Sequence, residues 1–186
     1  MSDFRRLFIP SGTYFFTLKS ENNAPIFNEP QSIDWLNDAI DETQTEFPFE
    51  VHAEVILPDH LHMIWSLPTS DVDYPIRWNK LKSGFTQRYL AASKTEQPRP
   101  PSRIRVRRRG VWQRRYWEHT IKDETDFERH FDDIHWNPVK HGYATAPRDW
   151  PHSSFHRWVE KGVYDINWGH GLEQSHRHLR LMQAGE

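Results

Sequence analysis

Two histidines placed two residues apart, His60 and His62, are the side chains whose type and spacing most directly suggest chemistry. They follow a turn signal, Pro58-Asp59, and open an apolar run at residues 60–67 that is typical of a β-strand. Because successive strand side chains point to opposite faces, both imidazoles are expected on one face and the apolar residues between them on the other. Two neighbouring imidazoles on a strand form half of a divalent-metal site. The alternative is an exposed strand face that carries two histidines without a ligand.

Hydrophobic periodicity predicts the elements that position this pair. The predicted strands occupy residues 13–18, 51–57, 60–67 and 111–121. The predicted helices occupy residues 32–46, 76–92 and 123–137. Ser32 is the predicted N-cap of the first helix, and Pro138 is predicted to end the third. On that third helix, His130, Asp133 and Asn137 form a polar stripe beside the apolar face.

Composition limits the kinds of protein that the chain can be. The chain has 186 residues, and 36% of them are hydrophobic. We expect one domain over residues 1–168, with a mobile basic loop at 93–110, and a flexible tail at 169–186. The chain has no cysteine, so any metal must be held by His, Asp, Glu, Asn or Gln. Without a signal peptide or an apolar run of about 18 residues, we expect no membrane association and a cytoplasmic protein.

Positive charge is concentrated in one segment. Residues 76–115 contain 13 Lys or Arg and a single acidic residue, Glu96, a net charge of +12 in a chain whose total is −2. Such asymmetry predicts a surface for a polyanion, the alternative being a solvated basic loop. The candidate phosphate-binding residues are Arg103, Arg105, Arg107, Arg108, Arg109, Arg114 and Arg115.

A histidine pair, an acid–amide stripe and a basic segment together suggest a metal-dependent enzyme that acts on nucleic acid phosphate. A divalent ion would polarise a phosphoryl oxygen and stabilise the charge that develops during attack. The attacking group would be water or a side chain such as tyrosine.

Several longer stretches, taken together, are more specific than the histidine pair. They are Arg5-Arg6, GTYFFT at 12–17, LPDHLHMIW at 57–65, FT at 85–86, WQRRYWEH at 112–119, NPVKHG at 137–142 and DWPHSSFH at 149–156. In these residues and in their order, over about residues 4–168, the chain resembles the REP-associated tyrosine transposases. These are a branch of the single-tyrosine His-hydrophobic-His (HUH) transposases, and REP stands for repetitive extragenic palindrome.

The resemblance implies an α+β fold, a ferredoxin-like antiparallel sheet with packed helices. It implies a reaction in which a tyrosine attacks single-stranded DNA at a REP hairpin, forming a 5′-phosphotyrosine and releasing a 3′-hydroxyl with the help of Mg²⁺ or Mn²⁺. By position, His60, His62 and Asn137 would be metal ligands. Arg5, Arg6 and the C-terminal tail would recognise the guide sequence beside the hairpin. Family members occur as monomers and as dimers, so the resemblance assigns no oligomeric state.

One departure from the family pattern bears on catalysis. The family has Tyr-Ile-x-x-Asn on the third helix, whereas this chain has Asp133 at the position of the nucleophile, four residues before Asn137. Three hypotheses follow: hairpin binding without cleavage and joining, Asp133 as an added metal ligand that supports hydrolysis, or replacement of the nucleophile by another tyrosine, Tyr116. We favour the first, because the third requires a strand residue to reach a site built for a helix residue. RNA hairpin binding is a further alternative.

Overall fold

The computed structural model describes residues 11–169, which contain four strands and five α-helices. They are β1 (Thr13–Lys19), α1 (Pro30–Glu46), β2 (Glu50–Ile56), β3 (His60–Ser66), α2 (Tyr74–Ala91), α3 (Pro101–Arg105), β4 (Trp117–Thr120), α4 (Glu124–Lys140) and α5 (Phe155–Glu160). Short 3₁₀ turns lie at Glu21–Asn23 and Pro147–Asp149. None of the helices within residues 11–169 is both long and apolar enough to cross a membrane.

The strands form one antiparallel sheet in the order β2-β3-β1-β4. With α1 between β1 and β2 and α2 between β3 and β4, this is the β-α-β-β-α-β ferredoxin-like arrangement. The predicted α+β fold is therefore confirmed.

Each face of the sheet is covered by a different layer. One face, with Phe16 and Trp65, packs against α1 and α2, and the indole of Trp65 stacks on that of Trp78 with 3.9 Å between ring centroids. The other face, with Phe15 and Ile64, packs against α4. The two-residue period of the strands assigns alternate side chains to these two cores.

Helix α4 begins where the sequence predicts and ends later. The Asp123 side chain accepts a hydrogen bond from the Asp126 amide at 2.9 Å and caps the helix. The helix then continues through Pro138 to Lys140, so the predicted end before Pro138 is wrong. Proline removes one amide donor but sits in the last turn, where the amide of His141 donates to the Asn137 carbonyl at 3.0 Å.

Two other boundaries differ from the prediction. Helix α1 begins at Pro30, and its N-cap residue is Glu29. The predicted N-cap, Ser32, therefore lies inside the helix. Proline suits the first turn of a helix, because its missing amide costs no hydrogen bond there. Strand β4 covers four residues, because the preceding segment pairs with the sheet only through an isolated bridge between Trp112 and Ser20. Arg5, Arg6 and residues 170–186 of the predicted tail lie outside the described residues.

The segment after α4 fixes that helix against the sheet through a buried polar chain. His135 Nε2 lies 2.9 Å from Ser154 Oγ, and its Nδ1 lies 3.2 Å from the hydroxyl of Tyr164. Ser154 in turn hydrogen-bonds the backbone of Glu54 in β2. His135 therefore connects α4 to both the C-terminal segment and the edge of the sheet.

We expect His135 to make the fold sensitive to acid. Burial lowers the pKa of His135 to about 3, whereas an unfolded histidine titrates near 6.5. Its contribution to stability is therefore complete above pH about 6.5 and is lost as the pH falls toward 3. Between pH 7 and pH 5 the free energy of unfolding should fall by about 2 kcal/mol more in the wild type than in His135→Gln, measured by urea unfolding. An identical pH dependence of the two proteins would contradict this assignment.

Candidate metal and nucleic-acid site

The histidine pair lies at the start of β3, on the face of the sheet that α4 covers. His60 and His62 are 6% and 8% exposed, and their ring centroids are 5.1 Å apart. Their cross-strand partners on β1 are Lys19 and Thr17, respectively. The alternation predicted from the sequence therefore brings both imidazoles to one face, where they are buried rather than solvated.

Each imidazole is oriented by a hydrogen bond at Nδ1. His60 Nδ1 lies 2.6 Å from Asp59 Oδ1, and His62 Nδ1 lies 2.8 Å from Thr17 Oγ1. An ionised carboxylate only accepts hydrogen bonds, so Nδ1 of His60 donates to Asp59, and in the neutral ring Nε2 carries the lone pair. The same tautomer on His62 would have Nδ1 donating to Thr17. Metal-binding histidines are typically held in this way.

The C-terminal end of α4 closes the other side of the pair. The ring of His141 lies 5.1 Å from that of His60. Asn137, one helical turn earlier on the same side of α4, is 2% exposed, and its Oδ1 has no hydrogen-bond partner. A buried amide oxygen without a partner is costly unless a ligand occupies it. Two imidazole nitrogens and this oxygen fit a divalent cation.

The electrostatic surroundings favour the uncharged form of His62. Burial, followed by the neighbouring His60, His141 and Lys140, holds the pKa of His62 well below its usual value. A neutral imidazole can bind a metal without first losing a proton.

Asp133 lies one turn before Asn137 and is part of the same cluster. Its side chain is 22% exposed, and Oδ1 lies 3.8 Å from Nζ of Lys140, the residue whose charge also acts on His62. A carboxylate therefore occupies the position that the family pattern gives to a phenol.

Tyr116, considered in the sequence as a substitute nucleophile, is not brought to this cluster. Its ring packs on the opposite face of the sheet, with centroids 5.9 Å from Trp78 and 6.0 Å from Phe16. Glu118 points to the same opposite face and accepts a hydrogen bond from the Tyr74 hydroxyl at 3.4 Å. Neither side chain faces the histidine pair.

A second group of possible ligands, His119, Asp126 and His130, joins β4 to α4. Their ligand atoms lie within 4.8 Å of one another, and His119 Nε2 is 2.8 Å from Asp126 Oδ2. This group could hold a metal ion. In the sequence, His119 stands in the stretch at 112–119 and His130 in the polar stripe of the third helix, but Asp126 was not predicted as a ligand. Asp126 and His130 do have the i, i+4 spacing of one helix face.

The predicted DNA-binding arginines fall into two sets. Arg103 and Arg109 are paired with acids, Arg103 with Glu21 at 2.8 Å and Arg109 with Glu96 at 2.9 Å. The others are exposed and form no ion pair with another residue of the range 11–169: Arg105, Arg107, Arg108, Arg114 and Arg115.

Part of this basic segment borders an open groove of about 660 Å³ beside α2. Arg103, Arg108, Arg109 and Arg114 line it together with Lys82. Burial and the nearby Arg103 and Arg108 lower the pKa of Lys82 to about 8. Burial first, and the neighbouring arginines second, therefore make Lys82 easier to deprotonate than an exposed lysine.

Comparisons with known proteins give a consistent result, although no family model matches the chain. The REP-associated tyrosine transposase of Escherichia coli is 39% identical over 168 residues, which is 90% of this chain and 91% of that protein. A similarly named protein of Haemophilus influenzae is 41% identical over 172 residues, which is 91% of this chain and 94% of that protein. A solved structure, the REP-associated tyrosine transposase bound to a REP hairpin, has a TM-score of 0.76 and 37% identity, covering 91% of this chain and 92% of that one.

Proposed function

The chain belongs to the REP-associated tyrosine transposases, and we propose that it binds REP hairpins of single-stranded DNA without forming the covalent DNA intermediate of the family. We assign this function to the domain predicted at residues 1–168. The observation that carries the proposal is a carboxylate, Asp133, at the nucleophile position of a cluster that otherwise retains the family's predicted metal ligands.

Hairpin binding is supported by the relative of known structure and by the charge of this chain. That relative is bound to a REP hairpin and matches this chain over 91% of its length. Here the exposed arginines at positions 105, 107, 108, 114 and 115 provide cations for the phosphate backbone. The ion pairs of Arg103, in α3, and of Arg109, after that helix, hold this part of the basic segment in place, and both residues add charge.

We further propose that His60, His62 and Asn137 hold a divalent metal ion, Mg²⁺ or Mn²⁺. The Nδ1 hydrogen bonds to Asp59 and Thr17 orient the two rings, and the buried amide oxygen of Asn137 supplies the third donor. When bound, such an ion polarises a phosphoryl oxygen.

Asp133 cannot take the role of the family tyrosine. Attack of its carboxylate on the phosphorus would form an acyl phosphate and release the 3′-hydroxyl of the preceding nucleotide. Water would then cleave that anhydride, regenerate the carboxylate and release the 5′-phosphate end. The DNA end would not be retained for joining. The ion pair with Lys140 instead supports a structural role for Asp133.

The hairpin hypothesis predicts selective and salt-dependent binding. From a pool of single-stranded DNA stem–loops, the protein should enrich hairpins with an unpaired extension, and the selected hairpin should outcompete an RNA of the same sequence. Arginines that neutralise phosphates displace the cations condensed on the DNA. The logarithm of the affinity should therefore fall linearly with the logarithm of the salt concentration. Arg115→Gln should reduce the slope by about 1.

Arg129→Gln is the matched control, since it removes the same charge from an exposed position of α4 outside the basic segment. It should leave the slope unchanged. Binding that is independent of salt, or a stronger preference for RNA, would contradict the proposed function.

The metal hypothesis predicts a specific role for the Thr17 hydroxyl. Thr17→Val keeps the shape of the side chain and removes the partner of His62 Nδ1, so Mn²⁺ affinity should fall about 10- to 100-fold in calorimetric titration. Thr13→Val is the control, because Thr13 lies on the same strand and face but contacts Ser66. Both variants carry His119→Gln, which removes the second candidate ligand group. Equal Mn²⁺ affinity in the two variants would contradict the assignment.

A further inference from the structure

Trp117 lies on the same face of the sheet as the histidine pair and in the same cross-strand row. It pairs with Thr17 of β1, which pairs with His62 of β3. Adjacent strands are about 4.8 Å apart, so the backbone of Trp117 is about 10 Å from that of His62. This is a short enough distance for one strand of DNA to contact both residues.

The indole of Trp117 is held in a fixed orientation although it is 45% exposed. It is parallel to the His119 ring, at 6° and 5.9 Å, and it meets Phe15 edge-on at 5.6 Å. His119 is itself hydrogen-bonded to Asp126 at 2.8 Å and stacks on His130 at 4.6 Å. An oriented ring loses little further conformational freedom when a ligand binds.

The exposed cations that precede this ring in the chain favour a nucleic acid over an apolar partner. Arg114 and Arg115 come three and two residues before Trp117, and both are exposed. A cationic track beside an aromatic ring is the usual surface for single-stranded DNA, where the bases stack and the backbone meets the positive charges. An isolated exposed tryptophan would not by itself require this explanation.

We propose that Trp117 is a stacking platform for an unpaired base in the single strand that adjoins the hairpin. The proposal rests on the proposed function and adds a subsite to it. Every base has a π-face, so the platform contributes affinity and positioning with little preference for sequence. It would hold the strand so that a phosphate reaches the histidine pair.

The test compares two DNAs that differ only in the unpaired strand. Fluorescence anisotropy would measure binding of a REP hairpin with its single-stranded extension and of the same hairpin with blunt ends. For the extended hairpin, Trp117→Ala should weaken binding about 5- to 150-fold, and Trp117→Phe should restore much of the loss. Both variants should bind the blunt hairpin like the wild type, with an unchanged salt slope.

A 2-aminopurine placed in the extension provides an independent measurement. Its fluorescence should be quenched when the wild type binds and should recover in Trp117→Ala. Val163→Ala is the control, since Val163 is an exposed apolar residue that follows α5, near the β2 edge of the sheet and away from β4. It should bind both DNAs like the wild type.

Two results would overturn the platform while leaving the proposed function intact. One is a Trp117→Ala variant that binds both DNAs like the wild type. A change in the oligomeric state of the variant without a change in DNA binding would count as the same result. The other is an equal loss on both DNAs, which would assign the ring a structural role. Failure of the wild type to bind either hairpin would overturn the proposed function itself.

Discussion

The alternation of β3 between two covered faces is the constraint on which the candidate site depends. Leu61, Met63 and Trp65 enter the core formed with α1 and α2, while His60 and His62 face α4. A slip of one residue would exchange the two sets and place both imidazoles in an apolar core. The packing of Trp65 on Trp78 therefore helps to fix the face of the sheet on which the histidines lie.

Helix α4 supplies the second half of the site and the departure from the family chemistry. Its last turns bring Asn137, Lys140 and His141 to the histidine pair, and the cations nearby help to keep His62 neutral. A neutral His62 beside positive charge suits the phosphate-bearing substrate that we propose. The architecture for holding a DNA phosphate can therefore persist when Asp133 replaces the nucleophile, because none of these contacts requires a phenol.

Local patterns in the sequence predicted most of the strands and helices and the face of the histidines, because strand alternation and helical spacing are properties of short segments. The ferredoxin-like arrangement of these elements was predicted from the resemblance to the family. Lys140 and His141 were missed because the helix was expected to end before Pro138. The contact of Asp126 with His119 and the row that joins Trp117 to His62 depend on pairing between distant segments, which periodicity does not encode. The same pairing places Tyr116 on the opposite face from the site.

We propose that the scaffold of the family is intact in this chain and that one side chain, Asp133, removes the covalent chemistry. The most direct measurement incubates a labelled REP hairpin and Mn²⁺ with the wild type, Asp133→Tyr and Asp133→Phe and then looks for a protein–DNA adduct on a denaturing gel. We predict an adduct with Asp133→Tyr alone, because only that variant places a phenol beside the proposed metal ligands. A stable adduct with the wild type, or none with Asp133→Tyr despite hairpin binding, would contradict it.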